Sequence, residues 1–129
     1  MNLQPCTLQS ERFRRRTVLL VEDEPFVREA TRSILESAGY EVLSAEDAVD
    51  AMNIYERCDH SIDLVMTDMV LPGCSGQQLG QELQQRSPGI RVLVTSGYTN
   101  AEFATEEPEA HTYFLAKPYS RRTLLQLLP

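Results

Sequence analysis

The sequence predicts an α/β fold, a five-stranded parallel sheet with helices on both faces, and two patterns carry that prediction. Short apolar, β-branched runs alternate with segments of helical period, as in doubly wound sheets. Four of the runs also end on reactive polar residues: 17–21 on Glu22 and Asp23, 62–67 on Asp68, 92–95 on Ser96, and 113–116 on Lys117. In an open parallel sheet the carboxyl ends of the strands share one edge, and that edge is where ligands bind.

Each element has its own signal. After the first strand at 17–21, Pro25 suits the first turn of a helix, where its missing N–H would be unbonded anyway. Val27, Ala30, Ile34 and Ala38 follow at helical spacing as one apolar stripe, and Gly39 ends the helix. Residues 40–44 read as a second strand. A second helix spans 47–57, with Ala48, Ala51, Met52 and Tyr55 on one side and acids near its start, where the helix dipole favours them. The third strand, 63–67, is nearly all apolar or β-branched, as a strand covered on both faces must be.

Pro72, Gly73, Ser75 and Gly76 mark the loop after Asp68, with Gly73 and Gly76 read as loop flexibility and a helix start. A third helix at 77–86 is stopped by Ser87, Pro88 and Gly89. A fourth strand at 90–95, a short acidic fourth helix at 99–107, a fifth strand at 113–116 and a fifth helix at 120–128 complete the chain. Right-handed crossovers leave few topologies for such a series, the commonest being the flavodoxin-like order 2-1-3-4-5.

Composition narrows the function classes. A chain of 129 residues fits one domain with one core. No apolar run approaches the roughly 20 residues of a membrane span, and the first ten residues lack the apolar core of a secretory signal, so the expected location is cytoplasmic. Cys6, Cys58 and Cys74 are odd in number, share no metal-ligand spacing and read as reduced. Residues 1–16 carry Arg12, Arg14, Arg15 and Arg16 against Glu11, a balance of +3 that leaves −10 for residues 17–129 out of the total of −7. The basic stretch could touch nucleic acid or an anionic surface but is expected to be an arm or linker, and the acidic body argues against nucleic-acid binding by the domain, because phosphate backbones demand cationic faces.

Glu22, Asp23 and Asp68 at one sheet edge would repel, each pair by up to about 4 kcal/mol at roughly 4 Å and an effective dielectric near 20. A cation must sit among them. Few carboxylates, a backbone carbonyl and waters are the habit of Mg²⁺, and all-oxygen ligation argues against zinc. Lys117, the only lysine in the chain, adds a compact point charge. Such a cluster is suited to a phosphoryl group, whose oxygens Mg²⁺, a lysine and the Ser96 hydroxyl would meet. Asp68, alone at the end of the central strand, is the best candidate nucleophile, since His60 and His111 lie off the strand ends.

Residues 17–128 resemble the receiver domain of two-component response regulators, through VEDEP (21–25), TDMVLPGCSG (67–76), VTSGY (94–98) and FLAKPY (114–119). Each motif is weak alone, but in this order and at strand ends they are highly specific. The VEDEP opening and SGY triplet look most like receivers attached to hybrid histidine kinases. The resemblance implies a receiver domain over 17–129 that is no enzyme beyond its own phosphorylation and dephosphorylation. It would act as a signal-transduction switch in a two-component system or phosphorelay, taking a phosphoryl group onto Asp68 from a histidine kinase or histidine phosphotransfer protein.

By the same resemblance Glu22, Asp23, Asp68 and the Val70 carbonyl hold Mg²⁺, Ser96 is the switch hydroxyl, and Lys117 contacts the phosphoryl group. The Lys117–Pro118 bond is expected to be cis, which costs only about 1 kcal/mol and can aim the lysine inward. Phe114 stands at the aromatic switch position, with Tyr113 facing the other side of the strand. The fourth helix, fifth strand and fifth helix would form the output surface and leave a homodimer open. With no effector domain after Pro129, DNA-binding output is not expected of this chain, and no membrane contact is expected of this domain. Val70, apolar beside the phosphoryl site, implies slow self-dephosphorylation. A phosphohydrolase of the haloacid dehalogenase kind would need an aspartate at position 70, and a scaffold without a switch would not need Asp68, Ser96 and Lys117 together.

Overall fold

The computed structural model describes residues 15–58, 62–97 and 111–128. The chain runs β1 (Thr17–Val21), α1 (Pro25–Ser37), β2 (Glu41–Ala45), α2 (Ala48–Cys58), β3 (Leu64–Asp68), β4 (Val70–Leu71), β5 (Cys74–Ser75), α3 (Gly76–Arg86), β6 (Arg91–Ser96), β7 (Thr112–Ala116) and α4 (Arg121–Gln126). The main sheet has five parallel strands in the order β2-β1-β3-β6-β7, which is 2-1-3-4-5 counted along that sheet. The short β4–β5 hairpin, not anticipated, lies in the loop after Asp68. The expected fourth helix at 99–107, His60 and most of the basic arm lie outside the described residues. Of that arm, Arg16 already offers its carbonyl to the Glu41 N–H at the start of β2.

Two apolar layers cover the sheet. On one face Leu19, Val21, Val65, Val92 and Val94 pack with Ala51, Ile54 and Tyr55 of α2 and with Leu79 and Leu83 of α3. On the other, Val18, Leu20, Leu64, Met66 and Leu93 pack with Leu35 of α1 and Leu124 of α4. The alternation follows the strand period of two, so β1, β3 and β6 need apolar residues at every position. Among the described residues no helix is long and apolar enough to cross a membrane.

Two local expectations are corrected. The buried residues of α1 are Thr31 and Leu35, while Ala30 and Ala38 are exposed, so the inward stripe is rotated from the one read off the sequence. Its cause is a polar pair that hydropathy cannot register, since the Thr31 hydroxyl bonds the Tyr119 hydroxyl at 2.8 Å. Cys58, buried at the end of α2, is disulfide-bonded rather than reduced, whereas Cys74 is a free thiol. Spacing rules address metal ligands and are silent on which thiols are oxidised. Gly76 opens α3 as expected and also allows a close approach to the Asp68 carbonyl, while Gly73, at φ 84°, needs glycine's left-handed conformation.

Candidate functional site

β1 and β3 are adjacent, with Val21 opposite Thr67, so Glu22–Asp23 and Asp68 emerge side by side at the carboxyl edge. Glu22, Asp23 and Asp68 each bring an oxygen to within 4.8 Å of the others. The acids differ in environment: Glu22 is 4% exposed, Asp68 partly buried and Asp23 exposed. Both Glu22 oxygens already have partners, Oε1 accepting from Lys117 at 2.9 Å and Oε2 from the Glu24 N–H at 3.1 Å. Arg28, one turn into α1, donates to the Glu22 carbonyl at 2.7 Å and fixes the loop that presents the pair.

β6 and β7 bring the remaining groups. Ser96 is 1% exposed at the end of β6, and its carbonyl accepts the Lys117 N–H at 2.6 Å. From there the Lys117 ammonium reaches 2.9 Å from Glu22 and 3.5 Å from Asp68 Oδ1. The Lys117–Pro118 bond is cis. Burial alone would lower the Lys117 pKa, but the hydrogen bond to Glu22 and the charges of Glu22 and Asp68 together outweigh it and hold it above the usual lysine range. A raised folded-state pKa stabilises the fold while the lysine is charged in both states and ceases to do so once it deprotonates. In metal-free buffer the Lys117 contribution should therefore be constant through neutral pH and disappear as pH climbs past about 10.4 and through the folded value. Urea titrations of wild type and Lys117→Met converging above that pH would bear this out, and a constant difference would contradict it.

Phe114 and Tyr113 take opposite faces of β7. Phe114 packs with the α2–α3 core and Tyr113 with the α1–α4 core. Val70 is 63% exposed, two residues beyond Asp68. The loop between them is held by Met69, whose N–H bonds the Thr95 carbonyl and whose carbonyl accepts from Gly76, both at 2.7 Å.

Thr31 and Arg28 were not singled out from the sequence, and Tyr119 appeared only inside a motif. A polar residue spaced four from both Val27 and Leu35 was the signal available for Thr31.

The response regulator receiver domain family model matches residues 18–129. The chain belongs to the receiver domain family. Among its relatives this receiver is 40% identical over 109 residues to the sensor kinase CckA of Brucella abortus, a match covering 84% of the chain but 12% of that kinase. It is 33% identical to the phosphate regulon transcriptional regulatory protein PhoB of Pseudomonas aeruginosa, across 88% of the chain and 50% of PhoB. The chain thus spans only part of these relatives. Solved receiver domains are matched nearly whole: one from Clostridium thermocellum at a TM-score of 0.78 and 26% identity, covering 87% of this chain and 90% of that one. The receiver of hybrid histidine kinase CckA follows at 0.72 and 33%, covering 85% and 93%. The expected subgroup and the two-component signalling class both agree with these likenesses.

Proposed function

We propose that this receiver domain is a phosphoacceptor switch, in which Asp68 takes a phosphoryl group from a phosphohistidine in a Mg²⁺-dependent reaction and thereby changes affinity for a partner. The observation that carries this reading is one lysine ammonium lying 2.9 Å from Glu22 and 3.5 Å from Asp68 amid three clustered carboxylates. The donor would be a histidine kinase or a histidine phosphotransfer protein, met in the cytoplasm, with neither nucleic acid nor membrane contacted by this domain. The basic residues of 1–16 act as an arm or linker to it.

The donor set fits Mg²⁺, being all hard oxygen and compact, with Asp23 and Asp68 the more accessible acids. Glu22, Asp23, Asp68 and the Val70 carbonyl would hold the ion, which when bound neutralises phosphoryl oxygens in a loose transition state. An Asp68 carboxylate oxygen attacks phosphorus, the P–O bond forms as the P–N bond breaks, and the imidazole leaves. Lys117 then pairs with a phosphoryl oxygen in place of Asp68. The Ser96 hydroxyl follows toward the same group, and Phe114 turns inward on the α3 side of β7, packing without a hydrogen bond to donate. The surface of β7, α4 and residues 99–107 reports the change, to a partner or to a second copy.

Incubation with acetyl phosphate and Mg²⁺ tests this against its rivals. A switch retains the phosphoryl group, a phosphohydrolase releases phosphate with many turnovers, and a scaffold does neither. Retention is expected to be long, because exposed, apolar Val70 cannot orient an attacking water. Val70→Asn should speed phosphate loss by roughly tenfold, because a side-chain amide can hydrogen-bond and align the attacking water. An unchanged phosphoryl half-life in that variant would refute the role given to Val70.

A further inference from the structure

Lysine carries a flexible four-carbon stem, so the place of its ammonium depends on how firmly its backbone is held. Lys117 is held on one side by β6, through the bond from its N–H to the Ser96 carbonyl at 2.6 Å. The other side is tied to α1. Two residues beyond Lys117, the Tyr119 hydroxyl shares a 2.8 Å hydrogen bond with the Thr31 hydroxyl, a contact spanning 88 positions of sequence. Thr31 is 3% exposed, and Tyr119 packs against the apolar layer that includes Leu35 and Leu124.

A valine and a phenylalanine would fill these places with the same shape, and replacing both members of a buried polar pair by apolar groups is close to neutral for stability. What the hydroxyls add is direction, a fixed distance between α1 and the segment carrying the lysine. The same helix, one turn earlier, holds the acids through the bond from Arg28 to the Glu22 carbonyl at 2.7 Å. Arg28 and Thr31 are three residues apart and share a helix face. A single rigid element therefore spaces the carboxylates from the ammonium that must serve them.

We infer that Thr31 and Tyr119 are positioning residues for phosphoryl uptake, their hydrogen bond keeping the Lys117 ammonium at the carboxylate cluster. The inference rests on the phosphoacceptor reading of Asp68. Neither residue touches the phosphoryl group.

The test compares wild type, Tyr119→Phe, Thr31→Ser and the double variant Thr31→Val/Tyr119→Phe, by the rate of phosphoryl incorporation from acetyl phosphate at saturating Mg²⁺ and by urea denaturation. Tyr119→Phe should lower the maximal rate about tenfold, since small displacements of an aligned group are costly, with the half-saturating acetyl phosphate concentration unchanged. Thr31→Ser keeps the hydroxyl and should retain the wild-type rate. The decisive case is the double variant, which should regain wild-type stability yet remain slow. A double variant whose rate recovers with its stability, or a Tyr119→Phe protein at wild-type rate, overturns the positioning role while leaving the phosphoacceptor reading in place. Wild type that takes up no phosphoryl group overturns both.

Discussion

Replacing Lys117 with methionine is expected to destabilise the metal-free domain by about 3 kcal/mol, the scale on which removing one partner of a buried ion pair acts. Methionine keeps the length and apolar stem and deletes the charge. Glu22, 4% exposed, would then face Asp23 and Asp68 without its lysine partner, with the Glu24 N–H on its second oxygen and Arg28 bonded to its backbone carbonyl rather than replacing that partner. At that burial, water compensates the lost partner poorly. Mg²⁺ should consequently stabilise the variant more than wild type, because in wild type the ammonium already offsets part of the negative charge. Urea midpoints in EDTA and in Mg²⁺ measure both effects. A variant with the wild-type midpoint in EDTA would show that the lysine is an ordinary surface charge.

A methyl group at Gly76 should be nearly as damaging. Built on the observed backbone, it would lie 2.1 Å from the Asp68 carbonyl oxygen and 3.0 Å from both the Asp68 carbonyl carbon and Thr67 Cγ2. The obstruction is main chain at the end of the central strand, so relief requires moving Asp68 or the start of α3. That start is fixed in turn by a capping box between Ser75 and Gln78 and by the Gly76 N–H on the Met69 carbonyl at 2.7 Å. Gly76→Ala should cost about 3 kcal/mol, the upper end for overpacking, and any folded fraction should take up phosphoryl groups slowly. Gly89→Ala is the control: a Cβ there meets nothing within 4 Å, and the exchange should be neutral or slightly stabilising. Equal stability of the two variants would contradict this account of Gly76.

Most of the site was legible because its chemistry sits where sheet topology brings distant residues together. Glu22, Asp23, Asp68, Ser96 and Lys117 each follow an apolar run, and parallel strands with right-handed crossovers put such ends on one edge. The register of Val21 with Thr67 and of Ser96 with Ala116 realises that arrangement. The Tyr113 and Phe114 faces were legible for the same reason, the strand period of two. Pairwise contacts between elements were not. Thr31 reads as a break in an apolar stripe until Tyr119 is seen opposite it, and Gly76 reads only as a helix start until the Asp68 carbonyl is seen against it. The β4–β5 hairpin has two-residue strands, too short for any alternation to register. Cys58 gave no sign of its bond, since sequence spacing says nothing of which thiols meet.

The central claim is that Asp68 is the group that accepts phosphorus, with Mg²⁺ required. Intact-mass measurement after treatment with acetyl phosphate, on wild type and Asp68→Ala with Mg²⁺ and on wild type with EDTA, tests it most directly. One added phosphoryl group on wild type in Mg²⁺, and none in either other sample, is the expected result. Equal modification of Asp68→Ala, or none on wild type, would contradict it.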